Sequence, residues 1–210
     1  MTVINQIAFY QNRRDEIPNQ VLAHHLAEKE DHAGIREIVG HLSDKNSAIA
    51  SDCVKVLYEI GYLKPELISK YSKEFLGLLN SRNNRMVWGA MIALSTIASM
   101  TADEIWGSLD LILKTIAAGT IITQVSGIKT LIHLAAVRPE YKERLMPILM
   151  KSLAEARPVD FVTRLEVLLP VMGTPTDHEQ MMAVIQKKTK ELTPAQQKRL
   201  TAIIRKNRLV

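Results

Sequence analysis

The feature that most constrains this chain is an internal repeat with a period of 37 residues. An apolar anchor recurs at that spacing, and further apolar columns follow each anchor by 12, 15 and 18 positions. The anchors are Leu42, Leu79, Ile116 and Leu153; the later columns are Val54, Met91, Ile128 and Leu165; Leu57, Leu94, Leu131 and Leu168; and Ile60, Ile97, Leu134 and Val171. Such a period indicates stacked units, each too small to bury its apolar face alone.

Each unit is predicted to be a pair of helices. Its apolar residues are spaced by three and four positions, and only 5% of the chain is aromatic, which favours helices over strands. First helices are predicted over 65–80, 102–117, 139–155 and 177–191, and second helices over 47–61, 84–99, 120–136 and 159–172. Capping boxes are predicted for the pairs Thr101–Glu104 and Thr176–Glu179.

The ends of the chain do not follow the repeat. A helix near Asn19–Glu30 lies outside the columns, and a C-terminal helix is predicted to begin after Thr193. Stacked repeats need polar end caps. We therefore predict a capping region over 1–34, repeats over 35–192, and a basic capping helix and tail over 193–210.

Two stretches carry a family resemblance. LMPILMKSL (Leu145–Leu153) is similar to the proline-containing first helix of HEAT repeats, and LSDKNSAIASDCVKVL (Leu42–Leu57) is similar to their turn and second helix. Over residues 35–192 the chain thus resembles the HEAT-repeat family of armadillo-like proteins. The resemblance implies an all-α fold, an α-α superhelix (HEAT-like or ARM-like solenoid) of four to five helix pairs with helical end caps. It also implies that the second helices line a concave face.

The second helices therefore carry the candidate partner-binding residues. Positions 9, 10, 13, 16 and 17 after each anchor are predicted to point away from the core. The candidates are Lys55, Tyr58, Glu59, Trp88, Ile92, Lys129, Ile132, His133 and Glu166. This face is more apolar than a solvated surface, which indicates a groove for a segment of another protein. The alternative is that adjacent helices cover it.

The positive charge of the chain is concentrated at its C-terminal end. The net charge is +5, and from residue 186 onward a single acid, Glu191, accompanies the basic residues Lys187, Lys188, Lys190, Lys198, Arg199, Arg205, Lys206 and Arg208. A basic helix can contact nucleic-acid phosphates, but no aromatic residue lies between these charges to stack on bases. The leading prediction is a non-enzymatic protein–protein interaction scaffold or adaptor; the alternative is a nucleic-acid-binding protein that resembles HEAT-like DNA-repair glycosylases.

No other pattern indicates catalysis, a metal or a cofactor. Glycine-rich phosphate loops and the nucleophile and zinc-protease motifs do not occur. His24, Glu28 and His32 are spaced like ligands on one helical edge, but three ligands on one helix do not converge on zinc, which favours a solvated face. Cys53 falls in a column of small residues and is predicted to be a buried thiol, and His133 lacks a carboxylate in its own unit to orient it as a base.

The expected location is the cytoplasm. No run of about 18 apolar residues predicts a membrane span, and the N-terminus lacks the apolar stretch of a secretory signal. Cys53 is the only cysteine, so no internal disulfide can form, as is usual in a reducing compartment.

Overall fold

The computed structural model describes residues 2–207, and within that range the secondary structure is helical without strands. The helices are Ile17–Glu28 (α1), His32–Gly40 (α2), Ser47–Leu63 (α3), Ser72–Leu78 (α4), Asn84–Ile97 (α5), Ala102–Trp106 (α6), Leu109–Ala118 (α7), Ile121–Ala135 (α8), Pro139–Ala154 (α9), Pro158–Leu168 (α10), Pro175–Thr189 (α11) and Pro194–Lys206 (α12). Short 3-10 turns lie at Ile4–Gln6, His41–Ser43, Pro65–Leu67, Ser69–Tyr71 and Leu169–Val171.

The chain divides into two compact units, Met1–Thr130 and Leu131–Val210. In the first unit, α3 has α1 and α5 as its main packing partners, while α2 packs against α3 and α4 against α5. In the second unit, α9 packs against α10 and α11, and α10 also packs against α12. In the first unit two second helices, α3 and α5, are therefore in direct contact, whereas in the second unit α10 lies against a first helix and the C-terminal helix.

The repeat columns form the cores of the two units. All twelve residues that follow the anchors by 12, 15 and 18 positions are buried, as are the anchors Leu42, Leu79 and Leu153, whereas Ile116 is partly exposed. Burying a leucine or isoleucine side chain contributes about 1.5–3 kcal/mol. The predicted apolar columns are therefore confirmed as buried core positions.

The second helices were predicted more accurately than the first helices. The predicted second helices agree with α3, α5, α8 and α10 to within a few residues, α10 being extended by the turn Leu169–Val171. The continuous helices predicted over 65–80 and 102–117 are wrong. The first region forms two 3-10 turns followed by α4, and the Ser69 hydroxyl donates a hydrogen bond to the Glu66 carbonyl oxygen in these turns. The second region is broken at Gly107 and Ser108, which are poor helix formers.

Both predicted capping boxes are wrong, although the C-terminal helix begins as predicted. Thr101 makes no capping bond, because its hydroxyl donates to the Ile97 carbonyl. Helix α11 starts at Pro175, and its capping box is formed by Thr174 and Asp177. Proline fits the first helical position because its missing N–H has no helical partner there. Helix α12 does begin after Thr193, which forms a capping box with Gln196.

Candidate functional site

The structure divides the nine predicted contact residues into two groups. Lys55, Tyr58, Ile92 and Ile132 are buried, whereas Glu59, Trp88, Lys129, His133 and Glu166 are partly exposed. The prediction that all nine point outward is wrong for the buried four. Helix α3 packs between α1 and α5, α5 packs against α3 and α4, and the buried stripe of α8 is wide enough to include Ile132 beside Leu131 and Ala135.

Lys55 is the centre of an ion-pair cluster on α3. It is 6% exposed, and its Nζ lies 2.6 Å from Glu59 Oε1 and 3.0 Å from Glu16 Oε2. The same ammonium lies 4.8 Å from the centre of the Tyr58 ring. Burial lowers the pKa of Lys55, but hydrogen bonds to the two carboxylates and to the Tyr58 hydroxyl outweigh it and hold that pKa above its usual value. Lys55 is therefore charged and fixed in place.

Three aromatic rings lie beside this cluster and connect α3 to α5. The Tyr58 ring is 6.1 Å from that of Tyr62 and 6.1 Å from that of Trp88, at interplanar angles of 75° and 55°. Tyr62 is 57% exposed and Trp88 is partly exposed, while Tyr58 is buried between them. Burial raises the pKa of both tyrosines, so their hydroxyls are neutral near pH 7. We call Tyr58, Tyr62 and Trp88, with Lys55 and Glu59, the Trp88 patch.

The N-terminal segment before α1 fixes one edge of the patch. Glu16 accepts hydrogen bonds from Lys55 and from Arg85 Nη2, the latter at 2.7 Å, so one carboxylate joins α3 to α5. The sequence pattern missed this contribution because residues 2–16 follow no helical period. It also missed Tyr62, although its spacing of four residues from Tyr58 places both on one helix face.

A buried carboxylate anchors the same segment. Asp52 on α3 accepts hydrogen bonds from the Phe9 backbone N–H at 2.8 Å and from Asn19 Nδ2 at 2.9 Å. Asn19 in turn accepts from the Ala8 N–H through Oδ1. Asp52 occupies a column that holds Gly89, Ser126 and Thr163 in the other repeats. A charge in a column of small residues is the sequence signal that could have revealed this contact.

In the second unit, Glu166 on α10 has a partner of its own. It forms a salt bridge with Arg199 on α12, whose guanidinium also donates to the Thr163 hydroxyl. Beyond this pair lie exposed basic side chains of α11, of the residue that follows it and of α12 that form no salt bridge within residues 2–207: Lys187, Lys190, Lys198, Arg205 and Lys206. The basic end predicted from the sequence is therefore exposed and largely unneutralised.

The remaining sequence candidates are placed as follows. Helix α1 ends at Glu28 and His32 begins α2, so His24, Glu28 and His32 do not share one helix. No group of three or more histidine, cysteine or acidic side chains within residues 2–207 is arranged to hold a metal ion. Cys53 is fully buried, and burial raises the pKa of its thiol to about 12, which makes it a poor nucleophile. No helix in the described part of the chain is long and apolar enough to cross a membrane.

Comparison with known proteins gives matches to structures alone. No family model matches the chain, and no curated protein matches it. Among similar solved structures is a designed armadillo repeat protein in complex with the peptide (KR)4, with a TM-score of 0.64 and 15% identity over 97% of this chain and 99% of that chain. Two engineered proteins match at TM-scores of 0.65 and 0.61, each with 16% identity over 99% of this chain and 98% of theirs. The chain has the all-α fold of armadillo-like helical repeat proteins.

Proposed function

We propose that this protein is a non-enzymatic interaction scaffold that docks a polypeptide segment on its second helices. The observation that carries the proposal is the Trp88 patch, where exposed aromatic rings on α3 and α5 are held beside an ion-pair cluster. Partly exposed tryptophan and tyrosine in fixed surroundings are typical of residues that dominate binding energy at protein interfaces. The similar designed armadillo repeat protein, which is in complex with a peptide, supports a polypeptide as the class of partner.

The patch is suited to binding because little of it has to be ordered by the partner. The Lys55 ammonium is held by Glu16 and Glu59, and the Tyr58 ring is buried beneath it. Immobilising a flexible side chain on binding costs about 0.5–1.5 kcal/mol. Since these side chains are already immobile, we infer that this cost falls mainly on the partner segment.

Partly exposed carboxylates at the edge of the patch suggest which side chains the partner offers. Glu16 and Glu59 both retain exposed surface, and the charge of Glu59 acts on the Tyr62 hydroxyl. A cationic side chain that lies over an aromatic ring and beside a carboxylate gains from both. We therefore infer a segment with at least one lysine or arginine. We also propose that three further predicted residues contact a partner, each on the surface of its own repeat: Lys129, His133 and Glu166.

The test is affinity capture from a native lysate with the wild-type protein and a Trp88→Ser variant. We expect the substitution to weaken capture about 30-fold, which corresponds to a loss of about 2 kcal/mol. Val159→Ser is the matched control, because Val159 is an apolar side chain of α10 that is 67% exposed and lies outside the patch. Equal capture by all three proteins would refute the proposal.

Stability has to be measured on the same variants. We expect Trp88→Ser to retain the helical circular dichroism and melting temperature of the wild type within a few degrees, because Trp88 is partly exposed. Ile92→Ser should lower the melting temperature clearly, since Ile92 is a buried residue of α5. If Trp88→Ser unfolds like Ile92→Ser, Trp88 is a core residue and the patch is not a docking surface.

A second candidate function follows from the exposed basic side chains of α11 and α12. Their surplus of unpaired cations would favour a nucleic-acid phosphate backbone. Retention of DNA or RNA that falls steeply with salt, and that is lost on neutralising Lys198 and Arg205 together, would support this candidate. An apolar contact at Trp88 would depend weakly on salt, and absence of retention at low salt would remove nucleic acid as a partner.

A further inference from the structure

A cleft lies in the first unit, between the turn that joins α4 to α5 and helix α7. Its volume is about 370 Å³, which lies within the range of small-ligand sites in proteins. None of the residues that define the Trp88 patch lines it. It therefore requires a separate explanation.

The charge of this cleft has one sign. Arg82 and Lys114 line it, both are exposed, and neither forms a salt bridge within residues 2–207. No aspartate or glutamate is among the lining residues. Helix α5 begins at Asn84, which also lines the cleft, and the start of a helix carries partial positive charge. These three contributions favour an anion.

Part of the cleft lining is apolar. Leu79, directly after α4, Val87 of α5 and Leu111 of α7 line it beside polar side chains. The C-terminal end of α7 borders the same space and carries partial negative charge. That end disfavours a doubly charged phosphate more than a single carboxylate.

We propose that this cleft binds a carboxylate carried on a short branched apolar group, as in an N-acylated leucine or the C-terminal residue of a polypeptide. The carboxylate lies between Arg82 and Lys114, and the apolar group contacts the leucine and valine walls. The site is independent of the Trp88 patch and gives the scaffold a second kind of contact.

The test is a titration with N-acetyl-L-leucine, followed by chemical-shift changes in the amide spectrum of the full-length protein. We expect saturable shifts in 79–87 and 111–119. The neutral isostere N-acetyl-L-leucinamide should bind at least about fivefold more weakly, because it lacks the charge. Shifts of equal size with the amide, or tighter binding by inorganic phosphate, would overturn the proposal, as would no saturable shift with any of these probes.

Variants assign the effect to the cleft. Arg82→Gln combined with Lys114→Gln should weaken binding of N-acetyl-L-leucine at least about fivefold, whereas Lys198→Gln, an exposed lysine of the second unit, should not. Both substitutions lie on the surface, so an unchanged melting temperature verifies folding. Equal binding by the double variant would overturn the assignment. The Trp88→Ser variant should bind the probe normally, so failure here is distinguishable from failure of the proposed function.

The source of the carboxylate is settled by a second probe. The tetrapeptide Ac-Ala-Ala-Ala-Leu with a free C-terminus is compared with N-acetyl-L-leucine and with its own C-terminal amide. Tighter binding by the free-acid peptide assigns the cleft to a chain end, and equal binding assigns it to a small acid. Binding by the peptide amide as tight as by the free acid would contradict a carboxylate site.

Discussion

At the scale of single residues, the contacts that shape the candidate site are made by charged groups in places that an apolar pattern does not describe. Asp52 and Lys55 lie on a helix face that was expected to be open, and each is held by partners from the N-terminal segment. A buried charge is tolerated only when it is paired or hydrogen-bonded. Such a residue indicates that a further segment covers it, but its identity does not reveal which segment.

Removing the Asp52 carboxylate should release that segment. Asp52→Ala leaves the Phe9 N–H and the Asn19 amide without their acceptor. We expect the free energy of unfolding to fall by about 2–3 kcal/mol, because an unsatisfied buried donor costs about 1–3 kcal/mol. Urea denaturation followed by circular dichroism measures the change. Glu74→Ala, which removes an exposed carboxylate from α4, is the control and should change stability by less than about 0.5 kcal/mol.

Asp177 gives the second unit a pH-dependent contact. Burial raises the pKa of Asp177. The hydrogen bonds from Lys142, at 2.7 Å, and from Thr174 lower this pKa by more than burial raises it, so the net value lies below the usual 3.8. A carboxyl whose pKa is lower in the folded state stabilises that state above its unfolded pKa. This contribution is lost as the pH falls through the folded value.

Carboxyl titration by NMR tests this effect. We expect Asp177 to titrate below 3.8 in the wild type and closer to that value in Lys142→Ala, because the ion pair is lost. Lys151→Ala is the matched control, since Lys151 is an exposed lysine of α9 that contacts Glu155 and not Asp177. A wild-type value at or above 3.8 would contradict the assigned cause.

At the scale of helices, the sequence predicted the second helices well because their apolar residues keep a regular period without interruption. The first helices were predicted less well where the Ser69 hydroxyl bonds to a local carbonyl and where the poor helix formers Gly107 and Ser108 separate α6 from α7. The predicted column of small residues is reflected in the packing at Gly127. A Cβ atom there would lie 2.3 Å from Cγ1 of Ile116, the anchor of the same repeat. Small size at this position permits close contact between the paired helices.

Two glycine substitutions should therefore have opposite signs. Gly127→Ala should lower the free energy of unfolding by about 1–3 kcal/mol, because its methyl group overlaps Ile116. Gly77→Ala in α4 has no heavy atom within 4 Å of the added Cβ and should raise stability by about 0.5–1 kcal/mol through better helix propensity. Urea denaturation of both variants measures the difference. Equal effects of the two substitutions would contradict close packing at Gly127.

At the scale of the whole molecule, the 37-residue period was sufficient to predict the fold class, because the columns that repeat are the columns that are buried. The candidate site was predicted in part: Trp88 and Glu59 were named, but Glu16 and Tyr62 were not. The period describes what the repeats share, whereas the site is built from what distinguishes the first repeats from the later ones. We retain as a proposal that residues 1–34 and 193–210 act as end caps of the repeats at 35–192.

The central claim is that the second helices dock a polypeptide segment at the Trp88 patch. Hydrogen–deuterium exchange of the full-length protein, with and without the partner obtained by affinity capture, tests it most directly. We predict that binding slows amide exchange in 55–62 of α3 and 84–92 of α5, and that Trp88→Ser abolishes this protection. Protection confined to α11 and α12, or unchanged exchange in α3 and α5 in the presence of a bound partner, would contradict it.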